Sequence, residues 1–80
     1  MSVVIASWIV TIDPALRRPA REDIARIPGA RLHPTADPLV LTTECGAGDL
    51  GRVHQAIAGV SGVLTVAMVT AYTDREVEDT

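Results

Sequence analysis

Lysine, asparagine and phenylalanine are absent from this sequence, which contains a single cysteine, Cys45, and only two aromatic residues of the Phe/Trp/Tyr type, Trp8 and Tyr72. Each shortage removes a class of function. One thiol cannot form an intramolecular disulfide and fits a reducing compartment. Recognition of single-stranded RNA on an open sheet needs aromatic stacking platforms, and here one aromatic is assigned to the core and the other to a strand end. All seven basic residues are arginine and are outnumbered by ten carboxylates, for a net charge of −3. The basic face that neutralises a phosphate backbone is therefore missing, and no nucleic-acid partner is expected. A basic ligand suits this balance better.

Long apolar runs are also missing. Residues 1–12 are apolar but too short to span a bilayer, and they lack a basic leader, so no membrane insertion is expected. Arg17-Arg18 is followed by Pro19-Ala20-Arg21-Glu22-Asp23, not by the uncharged apolar stretch of an export signal. The expectation is a protein that stays in the cytoplasm. His33, Cys45 and His54 match no metal-ligand spacing, so neither a metal nor another cofactor is expected. A Cys–His nucleophile would lack an orienting third group, and no constellation supplies both nucleophile and base. No catalytic residue is assigned; the chain reads as a binding protein and not an enzyme. Arg17 and Arg18 follow the first strand, where acylphosphatase-like proteins cradle a phosphate, but that cradle needs glycines and an asparagine that are not there. Gly46-Ala47-Gly48 has too few glycines for a phosphate-binding turn.

What is present suffices for one small globule. Eighty residues, 48% hydrophobic and 21% charged, make a single domain that buries about 60–65% of its unfolded surface. Residues 3–12 are rich in Val and Ile and read as an interior strand ended by Asp13-Pro14. Ala20, Ile24 and Ile27 follow at helical spacing, with Pro19 as the first helical residue and Pro28-Gly29 as the stop. Residues 30–33 form a brief strand, and Pro34 and Pro38 at the limits of the tight connection that follows mark it as an edge strand; residues 39–44 form a third strand. Asp49 is placed to cap a second helix, whose face carries Leu50, Val53, Ile57 and Val60 and which Gly59 or Gly62 closes. Residues 63–72 make a fourth strand. The domain is drawn as residues 1–73, with 74–80 as an acidic, frayed tail. Ile27-Pro28-Gly29 and Val60-Ser61-Gly62 echo one another, as two βαβ halves would. The order β-α-β-β-α-β and right-handed crossovers predict an α+β fold: a ferredoxin-like βαββαβ sandwich, a four-stranded antiparallel sheet with two helices on one face.

Alternation along each strand divides the side chains into two sets. Val4, Trp8, Val10 and Ile12 of the first strand are assigned inward, with Leu39, Leu41 and Thr43 of the third and Leu64, Val66 and Met68 of the fourth. Outward go Ser7, Ile9 and Thr11; Val40, Thr42 and Glu44; and Val63, Thr65, Ala67 and Val69. No helix is left to cover that outer set, which is small, β-branched and half apolar, so it is a candidate docking surface. An ordinary solvated face, carrying Thr because Thr suits strands, is the plainer alternative.

In order along the chain, Ser7-Trp8-Ile9-Val10, Ile27-Pro28-Gly29-Ala30-Arg31-Leu32-His33, Asp37-Pro38-Leu39-Val40-Leu41-Thr42-Thr43-Glu44 and Gly62-Val63-Leu64-Thr65-Val66-Ala67-Met68-Val69 resemble the NapD family, the cytoplasmic maturation chaperones of the periplasmic nitrate reductase. The departures are a polar first helix, with Arg17 where an apolar residue is expected, and a compact turn before Leu39. The resemblance implies a ferredoxin-like domain that binds the twin-arginine signal peptide of the nitrate reductase catalytic subunit and holds the precursor back until its cofactors are loaded. On that reading the peptide lies on Ser7, Ile9, Thr11, Val40, Thr42, Thr65, Ala67 and Val69. Glu44 meets an arginine, and Asp37 is a second, weaker choice. The alternative is a small dimeric regulatory ligand-binding domain, ACT-like or of the transcription-factor effector type.

Overall fold

Consecutive β-branched residues, Val3-Val4-Ile5 and Ile9-Val10-Thr11-Ile12, give the first strand apolar side chains on both faces, and it is bonded on both edges. In the computed structural model, which describes residues 2–34 and 38–75, β1 (Ser2–Ile12) pairs antiparallel with β3 (Leu39–Gly46) on one side and with β4 (Val63–Arg75) on the other. β2 (Ala30–Leu32) joins the far edge of β3, giving the order β2-β3-β1-β4. Helix α1 (Arg17–Ala25) lies between β1 and β2 in the chain, and α2 (Leu50–Ala58) between β3 and β4. Both pack on one face of the sheet, because Ile24, Val53 and Ile57 share a core with Ala6, Trp8, Val10, Leu39 and Leu41. The fold is the α+β ferredoxin-like βαββαβ sandwich that the element order predicts.

Trp8 anchors that core. Its indole is buried and donates from Nε1 to the Oγ1 of buried Thr43 at 2.9 Å, so the one polar atom of the ring is satisfied. The ring also stacks on His54 of α2, with centroids 5.6 Å apart and planes 18° from parallel. Thr43 faces inward for this reason, although its hydroxyl alone would favour the wet side of the sheet.

The internal echo is a repeated turn. Ala30 N–H donates to the Ile27 carbonyl at 3.0 Å, and Val63 N–H to the Val60 carbonyl at 3.1 Å. Gly29 and Gly62 take the third position of these turns with φ of +83° and +96°. Pro28 has its φ fixed negative, so the first turn is type II, which needs a residue without Cβ at that place. The carbonyls of Gly29 and Gly62 then accept from Glu44 N–H at 3.1 Å and Asp13 N–H at 2.8 Å, tying each turn to the neighbouring strand. A Cβ on Gly29 would run into the carbonyl oxygen of Glu44. Gly29→Ala is expected to lose about 2 kcal/mol or more, combining the left-handed penalty of about 1–2 kcal/mol with that collision. Urea unfolding reads the loss, and an unchanged midpoint would contradict the turn geometry.

Several boundaries differ from the sequence reading. A 3-10 turn over Pro14–Leu16 runs directly into α1, which therefore starts at Arg17, leaving Pro19 third in the helix rather than first. Proline is still harmless there, since first-turn N–H groups have no intrahelical acceptor. Asp49 holds the N-cap position of α2 but makes no capping hydrogen bond, and its carboxylate lies 3.9 Å from Arg52 instead. Its φ of −106° and ψ of 2° lie outside the extended region from which a cap side chain usually reaches back. Gly59 is the C-cap of α2 in right-handed conformation, while Gly62 takes the positive φ. β3 extends two residues further than predicted, and β4 continues to Arg75. The first two residues assigned to the tail are thus strand, and residues 76–80 lie outside the described residues.

Candidate functional site

Residues directly opposite one another in a ladder share a face of the sheet, so strand register defines the side the helices leave open. Ile9 stands opposite Val40 on β3 and Ala67 on β4; Ser7 opposite Thr42 and Thr70; Thr11 opposite Thr65; and Ile5 opposite Glu44 and Tyr72. Since Trp8 and Val10 point to the helices, these rows point away from them. Eight of the nine residues predicted for the docking face, Ser7, Ile9, Thr11, Val40, Thr42, Glu44, Thr65 and Ala67, are thereby brought together. No described element packs over them. Ser7, Val40 and Thr42 are half-buried by their neighbours, whereas Thr11, Glu44, Thr65 and Ala67 are exposed and Ile9 is 36% exposed.

The ninth, Val69, and the assignments around it need correction, because β4 contains two register shifts. Met68 faces Trp8 and Thr70 faces Ser7, so Val69 is an extra residue with no partner on β1 and stands 54% exposed. Val63 faces Ile12 and Thr65 faces Thr11, so Leu64 is a second extra residue, 62% exposed and not in the core. Val63, assigned outward, is on the helix side and packs against the core with Val66. Met68 is on the helix side, as assigned, but is half exposed. A bulge inserts one residue and breaks strict alternation. It also brings in residues the sequence reading missed: Thr70 and Tyr72 join the open face beyond Val69. Ile5 follows from simple alternation with Ser7 and Ile9. Arg31, opposite Thr42, becomes visible only once β2 is placed in register.

Glu44 stands near one end of the face, one row in from Val3 and Gly46. Ile5, Gly29, Ala30, Arg31, Thr42 and Glu44 line a shallow depression of about 330 Å³ there. The Glu44 carboxylate has no ion-pair partner among the described residues, so it is available to a cation. Asp37, the weaker acidic choice, lies outside the described residues.

The other reactive groups are dispersed. Among the described residues, no cluster of three or more His, Cys, Asp or Glu could hold a metal. His54 is stacked on Trp8, His33 stands exposed after β2, and Cys45 is half-buried on the helix side opposite Val4. Burial pushes the Cys45 thiol above its ordinary pKa, and the Asp49 carboxylate adds to the effect. The thiolate is the nucleophile. Alkylation of Cys45 near neutral pH is therefore expected to run slower than that of free cysteine and to quicken in Asp49→Asn; equal rates for Cys45 and free cysteine would contradict the assigned surroundings. No helix among the described residues is long and apolar enough to cross a membrane.

What the fold and the face define together is an open-faced βαββαβ sandwich, with one side of the sheet shielded by helices and the other carrying a half-apolar surface and a carboxylate. No protein-family model, curated protein or solved structure matches this chain.

Proposed function

We propose that this chain is a cytoplasmic chaperone of the NapD type. It binds the twin-arginine signal peptide of the periplasmic nitrate reductase catalytic subunit and delays export until the cofactors are in place. It works by binding and not by catalysis. The observation that carries this reading is the sheet face that no described element covers, with Ile9 between Val40 and Ala67 and the carboxylate of Glu44 near one end. A twin-arginine leader is basic and then apolar, which complements an acidic end followed by a half-apolar surface. The four ordered motifs that resemble the family supply the identity of the cargo; the geometry supports only its chemistry.

A synthetic twin-arginine leader peptide is expected to bind with a Kd of about 1 µM or tighter. A charge-assisted contact that becomes partly desolvated contributes about 1.5–3 kcal/mol, and one that stays exposed under about 1 kcal/mol. Glu44→Gln is therefore expected to weaken binding about 10-fold, which corresponds to about 1.4 kcal/mol. Calorimetric titration measures the change, and an unaltered Kd would remove Glu44 from the site. A dimeric regulatory domain is the second reading, favoured by the long outer edge of β4, which pairs with no further strand among the described residues. A chain that ignores the leader peptide but is stabilised by a small molecule such as an amino acid would establish it instead.

A further inference from the structure

The two edges of the sheet are finished in different ways. β2 is three residues long, lies between Pro28 and Pro34, and carries an exposed arginine, Arg31, at its centre. Shortness, proline and charge are the devices that make an edge unfit for pairing. β4 is thirteen residues long, and residues 63–73 contain no charge, no proline and no glycine. Its bulges, which elsewhere help to blunt an edge, here present Leu64 and Val69 to solvent. Of the six large apolar side chains exposed among the described residues, four lie on this strand: Leu64, Val69, Met68 at 49% and Tyr72 at 59%.

We propose that β4 is a self-association edge, through which two copies of this chain pair antiparallel about a two-fold axis to build one eight-stranded sheet. A strand meeting itself antiparallel is self-complementary, as a two-fold interface requires. Because residues 63–73 are uncharged, no register within them sets like charges opposite one another. A basic peptide would find no carboxylate in residues 63–73 of this edge, whereas Glu44 lies two strands away across β1. The strand offers about 40 Å of edge. A copy added there lies in the plane of the sheet, so the open face stays open. The proposal stands on the edge alone and does not depend on the peptide reading.

Sedimentation equilibrium of the full chain from about 10 µM to about 1 mM, the range in which interfaces of modest area associate, is expected to show a concentration-dependent dimer. The double variant Leu64→Lys, Met68→Lys is expected to dissociate it at least 10-fold more readily. Hydrogen exchange on the wild-type chain gives a second reading should that variant fail to fold: protection of β4 amides rises with protein concentration, and that of β2 amides does not. A monomer at every concentration, a dimer indifferent to the double variant, or β4 protection independent of concentration would overturn the proposal. So would a monomer whose β4 amides become protected only when leader peptide is added, since the edge would then take the peptide as its extra strand.

Discussion

Ile9→Asp is expected to raise the Kd for a twin-arginine leader peptide by at least about 100-fold, or about 2.7 kcal/mol, while the domain stays folded. Ile9 lies between Val40 and Ala67, where the apolar part of the peptide would dry the surface. A carboxylate there must be desolvated without a partner, a cost of several kcal/mol. The fold itself loses only about 1 kcal/mol of strand preference, because no described helix packs on this side of the sheet. Thr65→Arg, opposite Thr11 on the same face, is expected to act in the same direction. The pair is informative because the introduced charges are opposite. If attraction between an acidic domain and a basic peptide were the whole interaction, the aspartate would strengthen binding and the arginine would weaken it. Contact with an apolar segment makes both weaken it. Calorimetric titration with circular dichroism as the folding control decides, and undisturbed binding in both variants would remove the sheet face from the account.

Trp8→Ala is expected to have the largest effect on stability. Truncating a buried aromatic costs about 3–5 kcal/mol, and this one also leaves the buried Thr43 hydroxyl without its donor and His54 without its stacking partner. An 80-residue domain has a total stability of roughly 4–12 kcal/mol, so the variant should lose a third or more of it or fail to fold. Thr43→Val separates the two contributions: it removes only the acceptor and is expected to cost about 1–3 kcal/mol. Urea unfolding of both variants provides the comparison. A Trp8→Ala chain within about 1 kcal/mol of the wild type would mean that the indole is not the anchor of this core.

The strand and helix order was legible because the two kinds of element are patterned differently. Val and Ile run almost without interruption around Trp8, as in an interior strand, whereas Ala20 and Ile24, and Val53 and Ile57, fall at helical spacing. With four strands and two helices in that order, the right-handed crossover rule left one topology, and with it one sheet face without cover. The bounds of α1 were less legible, because the 3-10 turn over Pro14–Leu16 has no helical stripe of its own to announce it. The bulges in β4 were not legible at all. Bulges are often marked by glycine, but the extra residues are Leu64 and Val69, which look like any other strand residue. Strict alternation carried through them put Val63 on the wrong face and hid Thr70 and Tyr72. The open face on β1 and β3 was therefore readable residue by residue, and on β4 only between the two bulges, at Thr65 and Ala67.

If the leader peptide binds as proposed, its basic and then apolar segments lie on the side of the sheet opposite the helices. Amide chemical-shift mapping during titration of the ¹⁵N-labelled chain with a twin-arginine leader peptide tests it most directly. The largest shifts are expected at Ser7, Ile9, Thr11, Val40, Thr42, Glu44, Thr65 and Ala67, with α1 and α2 little changed. Shifts confined to the helices, or none at saturating peptide, would contradict the account.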